Sequence, residues 1–166
     1  MPRVRYSEDA LISDSLALAI GQLVQQWGHL EDNAAILTAV LLKSHHYDFR
    51  GVAANLGTVG KFDALAAFAR LTLTNRKAAT IIQIAERSKK LTAERNRIIH
   101  GSWYPTKNPD VAERVTYTAR VQPGLRQSIA TVSAAQVRNF AVKVTKLRRS
   151  LNHALSRQGF YATKTY

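Results

Sequence analysis

The chain has 166 residues, 46% of them apolar, which suits one domain with a sizeable core. It contains no cysteine, so disulfides, zinc–thiolate centres and thiol catalysis are excluded. The formal net charge is +13, and the stretch from Val115 to Tyr166 holds 9 basic residues and no acid; such a field attracts polyanions, nucleic acid above all.

Met1-Pro-Arg-Val-Arg-Tyr lacks the apolar core of a signal peptide. No apolar run approaches the roughly 20 residues of a membrane span. The expected location is therefore the cytoplasm, with no membrane partner. Ser7-Glu-Asp reads as a helix start, an N-cap serine followed by acids that suit the positive end of the dipole. Leu16, Ile20, Leu23, Trp27, Leu30, Ala34, Leu37 and Leu41 then recur at alternating steps of four and three. This heptad seam predicts one long first helix of about 35 residues, ending at Ser44-His45-His46-Tyr47-Asp48. Adjacent His45 and His46 point apart, so a basic helix end is the reading there and not a metal site.

Phe49 to Gly60 carries three glycines and reads as a loop, with a short helical turn at Val52–Leu56. Phe62, Leu65, Ala66, Phe68, Ala69 and Leu73 form a helical stripe. Thr74-Asn75 gives a stop and a new start. Ile81, Ile84, Ser88, Leu91, Arg95 and Ile98 continue the spacing through the next helix, and Gly101 falls where a C′ glycine belongs. Ser102 to Val132 opens with a loop that holds two prolines and then alternates over Val115-Thr-Tyr117-Thr-Ala119-Arg-Val121; Gln122-Pro123-Gly124-Leu125 is a type II turn and Leu125 to Val132 is β-rich, so a β-hairpin is predicted at about 102–132. Ser133-x-x-Gln136 is a capping box. The helix it opens carries Val137, Phe140, Val144, Leu147, Leu151 and Ala154 on one face and Arg138, Lys143, Lys146, Arg148 and Arg149 on the others. The tail 158–166 has no period and is expected to fray. The predicted architecture is all-α: an up-and-down bundle of four to five helices, a single domain over 1–166, with the β-hairpin inserted before the last helix.

Arg95 stands on the apolar stripe where a hydrophobic residue is expected. A guanidinium there needs a partner, and Glu31, beside Leu30 on the long seam, is the expected one. Either the pair is structural, or Glu31 orients the fork of Arg95 toward a phosphate. His100 is either a basic helix end that suits the dipole or a general acid/base. In an ideal helix it lies about 140° from Arg95, whereas Asn96 shares its face. Trp103, Tyr104 and Tyr117 either stack on bases or pack in the frame. No phosphate-cradling loop, nucleophile elbow or paired-carboxylate signature occurs.

Arg95-Asn96-Arg97-Ile98-Ile99-His100 resembles the signature of the HEPN superfamily: an arginine, a polar residue, then a histidine near a helix end in an all-helical frame. Leu30-Glu31 on a long first helix and the later RNxxxHGxW add to the likeness, which covers most of residues 8–157. Many members are metal-independent endoribonucleases, often toxins or phage-defence components, that act as dimers around a shared cleft. The resemblance implies catalytic roles for Arg95, Asn96 and His100, with Glu31 in support. Arg97, Trp103 and Tyr104 would be RNA contacts. RNA, a second copy of the chain and an antitoxin protein would be partners; no cofactor or metal is implied. Ser102 replaces the modifiable tyrosine found two residues after the histidine in some members. The competing expectation is a non-catalytic helical module that binds nucleic acid or a protein.

Overall fold

The computed structural model describes residues 11–120 and 124–157, with side chains at all of these except 46–48, 50, 118–120 and 124–126. The described chain is mostly helical. Its elements in order are α1 (Asp14–Leu41), α2 (His46–Ala54), α3 (Thr58–Thr72), α4 (Asn75–His100), β1 (Ser102–Pro105), β2 (Val111–Arg120), β3 (Gly124–Ser133) and α5 (Ala134–Arg157). The strands form one antiparallel sheet in the order β1-β2-β3. The expected hairpin is thus β2–β3, and β1 adds a third strand through Trp103 and Tyr104, which the sequence placed in a loop. The proposed helix start at Ser7, the tip of the turn at Gln122-Pro123 and the tail 158–166 lie outside the described residues.

Compactness divides the chain into two units, Met1–Val24 with Glu94–Ala141, and Gln25–Ala93 with Val142–Tyr166. In the first, Ser13 opens α1: its hydroxyl accepts from Leu16 N at 3.3 Å and its carbonyl from Ala17 N at 2.9 Å. Residues 11–13 are not helical. The first helix therefore spans 28 residues, shorter than the predicted length, because Ser13 supplies a cap of its own and Asp14 an acid for the first turn. Leu16, Leu23, Ala112, Val115, Val137 and Ile98 are among the buried apolar residues of this unit. The β1–β2 connection is closed locally. Thr106 Oγ1 donates toward the carbonyls of Asn108 and Val111, and Asn108 Oδ1 accepts from Asp110 N at 3.0 Å. The capping box forms as predicted: Ser133 N donates to Gln136 Oε1 at 2.8 Å, and Gln136 N to Ser133 Oγ at 3.2 Å.

In the second unit the heptad seam is the core. Trp27, Leu30, Ala34 and Leu37 are fully buried, with Phe62, Leu65, Ala69, Val144, Leu151 and Leu155. Trp27 meets Phe62 edge to face, ring centroids 6.5 Å apart. α2 occupies the stretch read as a loop. Ala53 is buried in it and Gly51 meets open space; the burial overrides a glycine cost of about 1 kcal/mol.

Candidate functional site

The site is the last turn of α4. Arg95 continues the buried run Ala78, Ile81, Ala85, Ser88, Thr92 at helical spacing, and is itself half-buried, while Asn96 and His100 are exposed. Arg95 Nη1 donates to Asn96 Oδ1 at 2.9 Å and lies 3.5 Å from His100 Nε2. The three residues thus meet, although ideal helix geometry separates the Cβ directions of Arg95 and His100. The long arginine stem sweeps round to the neighbouring face, so side-chain reach compensates for helical angle. At 3.5 Å the Arg95–His100 approach is at the outer limit of a hydrogen bond. Arginine can only donate, so the approach serves as a hydrogen bond in the tautomer that leaves Nε2 as acceptor. The group so assembled has a planar cation, an amide and an imidazole nitrogen on one exposed helix end. It can hold an anion and exchange a proton beside it.

Gly101 closes the turn, but not as a left-handed cap. Its φ lies outside the left-handed region, and its amide donates to Arg97 O at 3.1 Å. A Cβ at this position would lie 2.5 Å from Arg97 O and 2.7 Å from Arg114 Cγ. Glycine is required by this close approach and not by a positive φ.

Arg114 was not foreseen from the sequence. It is 6% exposed and stands on β2 one residue before the alternating run that the sequence marks from Val115 to Val121. Its Nη1 donates to Glu94 Oε1 at 2.8 Å, and the other Glu94 oxygen is 3.0 Å from Arg97 Nε. Partial burial pushes the Glu94 carboxyl up, but the hydrogen bond and charge of Arg114, then those of Arg97, outweigh it and hold the group below the usual carboxylate range. A signal for Arg114 existed only in the register. Trp103 stands directly opposite it across β1–β2, and the guanidinium carbon lies 5.9 Å from the Trp103 ring centroid.

The RNA-contact candidates have distinct surroundings. Arg97 is half exposed and paired with Glu94. Trp103 is half-buried and its indole N–H donates to Ile98 O at 2.9 Å, which gives it a part in the frame. Tyr104 is half-buried and Tyr117 exposed.

Glu31, the partner expected for Arg95, receives donors from its own unit. Glu31 Oε1 accepts from Trp27 Nε1 at 2.7 Å and from Thr58 Oγ1, and Oε2 from Lys61 Nζ at 2.8 Å. Trp27 lies one turn before Glu31 on α1, and Thr58 and Lys61 stand on the first turn of α3, so both oxygens are satisfied within the second unit. That unit also holds a cavity of about 340 Å³ lined by Arg76, Lys77, His153 and Arg157. None of the four pairs with a carboxylate among the described residues.

Comparisons with protein-family models, with curated proteins and with solved structures give no match. No helix among the described residues is long and apolar enough to cross a membrane.

Proposed function

We propose that this protein is a metal-independent endoribonuclease of the HEPN type, a helical bundle acting as a homodimer in toxin or phage-defence biology under the control of an antitoxin protein. The observation that carries the reading is Arg95 Nη1 lying within reach of both Asn96 Oδ1 and His100 Nε2. The net charge of +13 supports RNA as the substrate.

In this reading the substrate supplies its own nucleophile. The 2′-oxygen of RNA bonds to the adjacent phosphorus as the bond from phosphorus to the 5′-oxygen breaks. His100 Nε2 takes the 2′-hydroxyl proton, and an acid, the imidazolium of the second chain's motif, protonates the leaving 5′-oxygen. The Arg95 fork binds the non-bridging oxygens, where negative charge grows. Asn96 fixes the arginine through its Oδ1. The products carry a 2′,3′-cyclic phosphate and a 5′-hydroxyl. The test is cleavage of varied RNAs in EDTA. Arg95→Ala and His100→Ala should each lower the rate by roughly 10²–10⁴-fold. Undiminished cleavage by both variants overturns the reading. RNA binding by the wild type without cleavage replaces it with a non-catalytic nucleic-acid-binding module.

A further inference from the structure

We propose that Arg114 is a positioning residue: with Glu94 and Trp103 it holds the last turn of α4 in the shape that brings Arg95 to His100. That Arg95 and His100 are the reacting groups rests on the endoribonuclease reading above; the positioning itself is a matter of geometry. Three ties converge on the turn. The guanidinium grips Glu94, the residue before Arg95, at 2.8 Å. Its partner across the strands, Trp103, donates to the carbonyl of Ile98, one of the four that a helix end leaves without intrahelical partners. Its stem fills the space where any Cβ at residue 101 would go. The ties fall at 94, 98 and 101, and so bracket Arg95, Asn96 and His100.

Stability alone does not call for a guanidinium here. Arg114 is buried, and its Nε is buried with no hydrogen-bond partner, a desolvation cost that the Glu94 hydrogen bond and the Trp103 ring only partly offset. Replacing buried ion pairs by apolar side chains of similar volume is often neutral or stabilising, and removing one partner alone is costly only where the other charge is left buried. Glu94 would not be stranded by that change, since its side chain is 38% exposed and still faces Arg97. What the apolar replacement lacks is a directed hold on residue 94. Losing it leaves the turn free to rotate the Arg95 stem away from His100, and misplacement of that order costs rate far more than binding.

The experiment compares wild type, Arg114→Met, Arg114→Lys and Glu94→Gln in the full chain. It reads thermal stability, the His100 ring Cε1–H resonance by NMR, and kcat and KM for RNA cleavage. Arg114→Met should stay folded, shift the His100 resonance, and lose on the order of 10–100-fold in kcat with KM changed by less than about 2-fold. Arg114→Lys, which keeps a cation for Glu94, should recover most of kcat. Glu94→Gln tests the same tie at a partly exposed position if Arg114→Met does not fold. A His100 resonance and kcat unmoved in Arg114→Met and Glu94→Gln overturn the proposal and leave the ribonuclease reading standing. A wild type that cleaves no RNA, yet whose His100 resonance moves in these variants, overturns only the ribonuclease reading. Losses of kcat that merely follow the folded fraction in every variant overturn the positioning role.

Discussion

The Glu31 carboxylate receives Trp27 Nε1, Thr58 Oγ1 and Lys61 Nζ while its side chain is 15% exposed. Burial pushes this carboxyl up, but the three hydrogen bonds and the charge of Lys61 together hold it below the usual value. Because the folded-state pKa lies below the unfolded one, near 4.5, the stabilisation is complete above that pH and is lost as pH falls through the folded-state value. Glu31→Gln should therefore cost about 1–3 kcal/mol at neutral pH, and the gap to wild type should narrow as the solution is acidified below 4.5. Thermal unfolding followed by circular dichroism across that range checks it; a gap independent of pH sinks the account. The same residue-scale physics separates Arg95 from Arg114. One is half-buried with its fork toward an exposed amide and imidazole, the other is enclosed with its fork on Glu94.

Helix ends carry the element scale. α1 closes without glycine: Ser44 N donates to Ala39 O and Lys43 N to Val40 O, both at 3.1 Å, and Lys43 sits at φ 54. This is a Schellman arrangement with a side chain at the left-handed position usually given to glycine. The strain of a left-handed lysine is on the order of 1 kcal/mol, partly offset by the greater unfolded-state entropy of glycine. Lys43→Gly is thus expected to stabilise by roughly 0.5–1 kcal/mol, or about 1–4 °C in Tm. A fall in Tm would show that Lys43 makes a contact worth more than the strain. α4 ends by another route, with Gly101 pressed against the Arg114 stem, so the same kind of stop signal reflects conformation in one helix and crowding in the other.

At the scale of the whole molecule, charge outweighs any one contact. Arg76, Lys77 and Arg157 around the cavity of the second unit carry no carboxylate partners among the described residues, and Val115 to Tyr166 contains no acid. Each cation that meets a phosphate releases a condensed counterion. Binding of single-stranded RNA by His100→Ala, measured by fluorescence anisotropy, should weaken by about 100-fold between roughly 50 and 200 mM salt, as expected for about five phosphate contacts. Affinity indifferent to salt would remove the polyanion reading, catalytic or not.

The seams were determined by sequence because periodicity is local. Leu23, Trp27, Leu30 and Leu37 are fully buried at the positions their spacing marks, and Ser133 with Gln136 cap α5 across three residues. Arg95, Asn96 and His100 could be picked out together because all three lie within one helix end, but ideal helix geometry sets Arg95 and His100 about 140° apart, and their approach is decided by the path of the arginine side chain. Tertiary structure decided what needed distant partners. Glu31 finds Thr58 and Lys61, 27 and 30 residues away, and Arg114 finds Glu94 at a separation of 20. β1 exists because β2 pairs with it, and α2 forms around the burial of Ala53 in spite of Gly51. A hydrophobic repeat specifies which face is buried; only the fold specifies which charged groups share that burial, because desolvation is set by every element that closes around them.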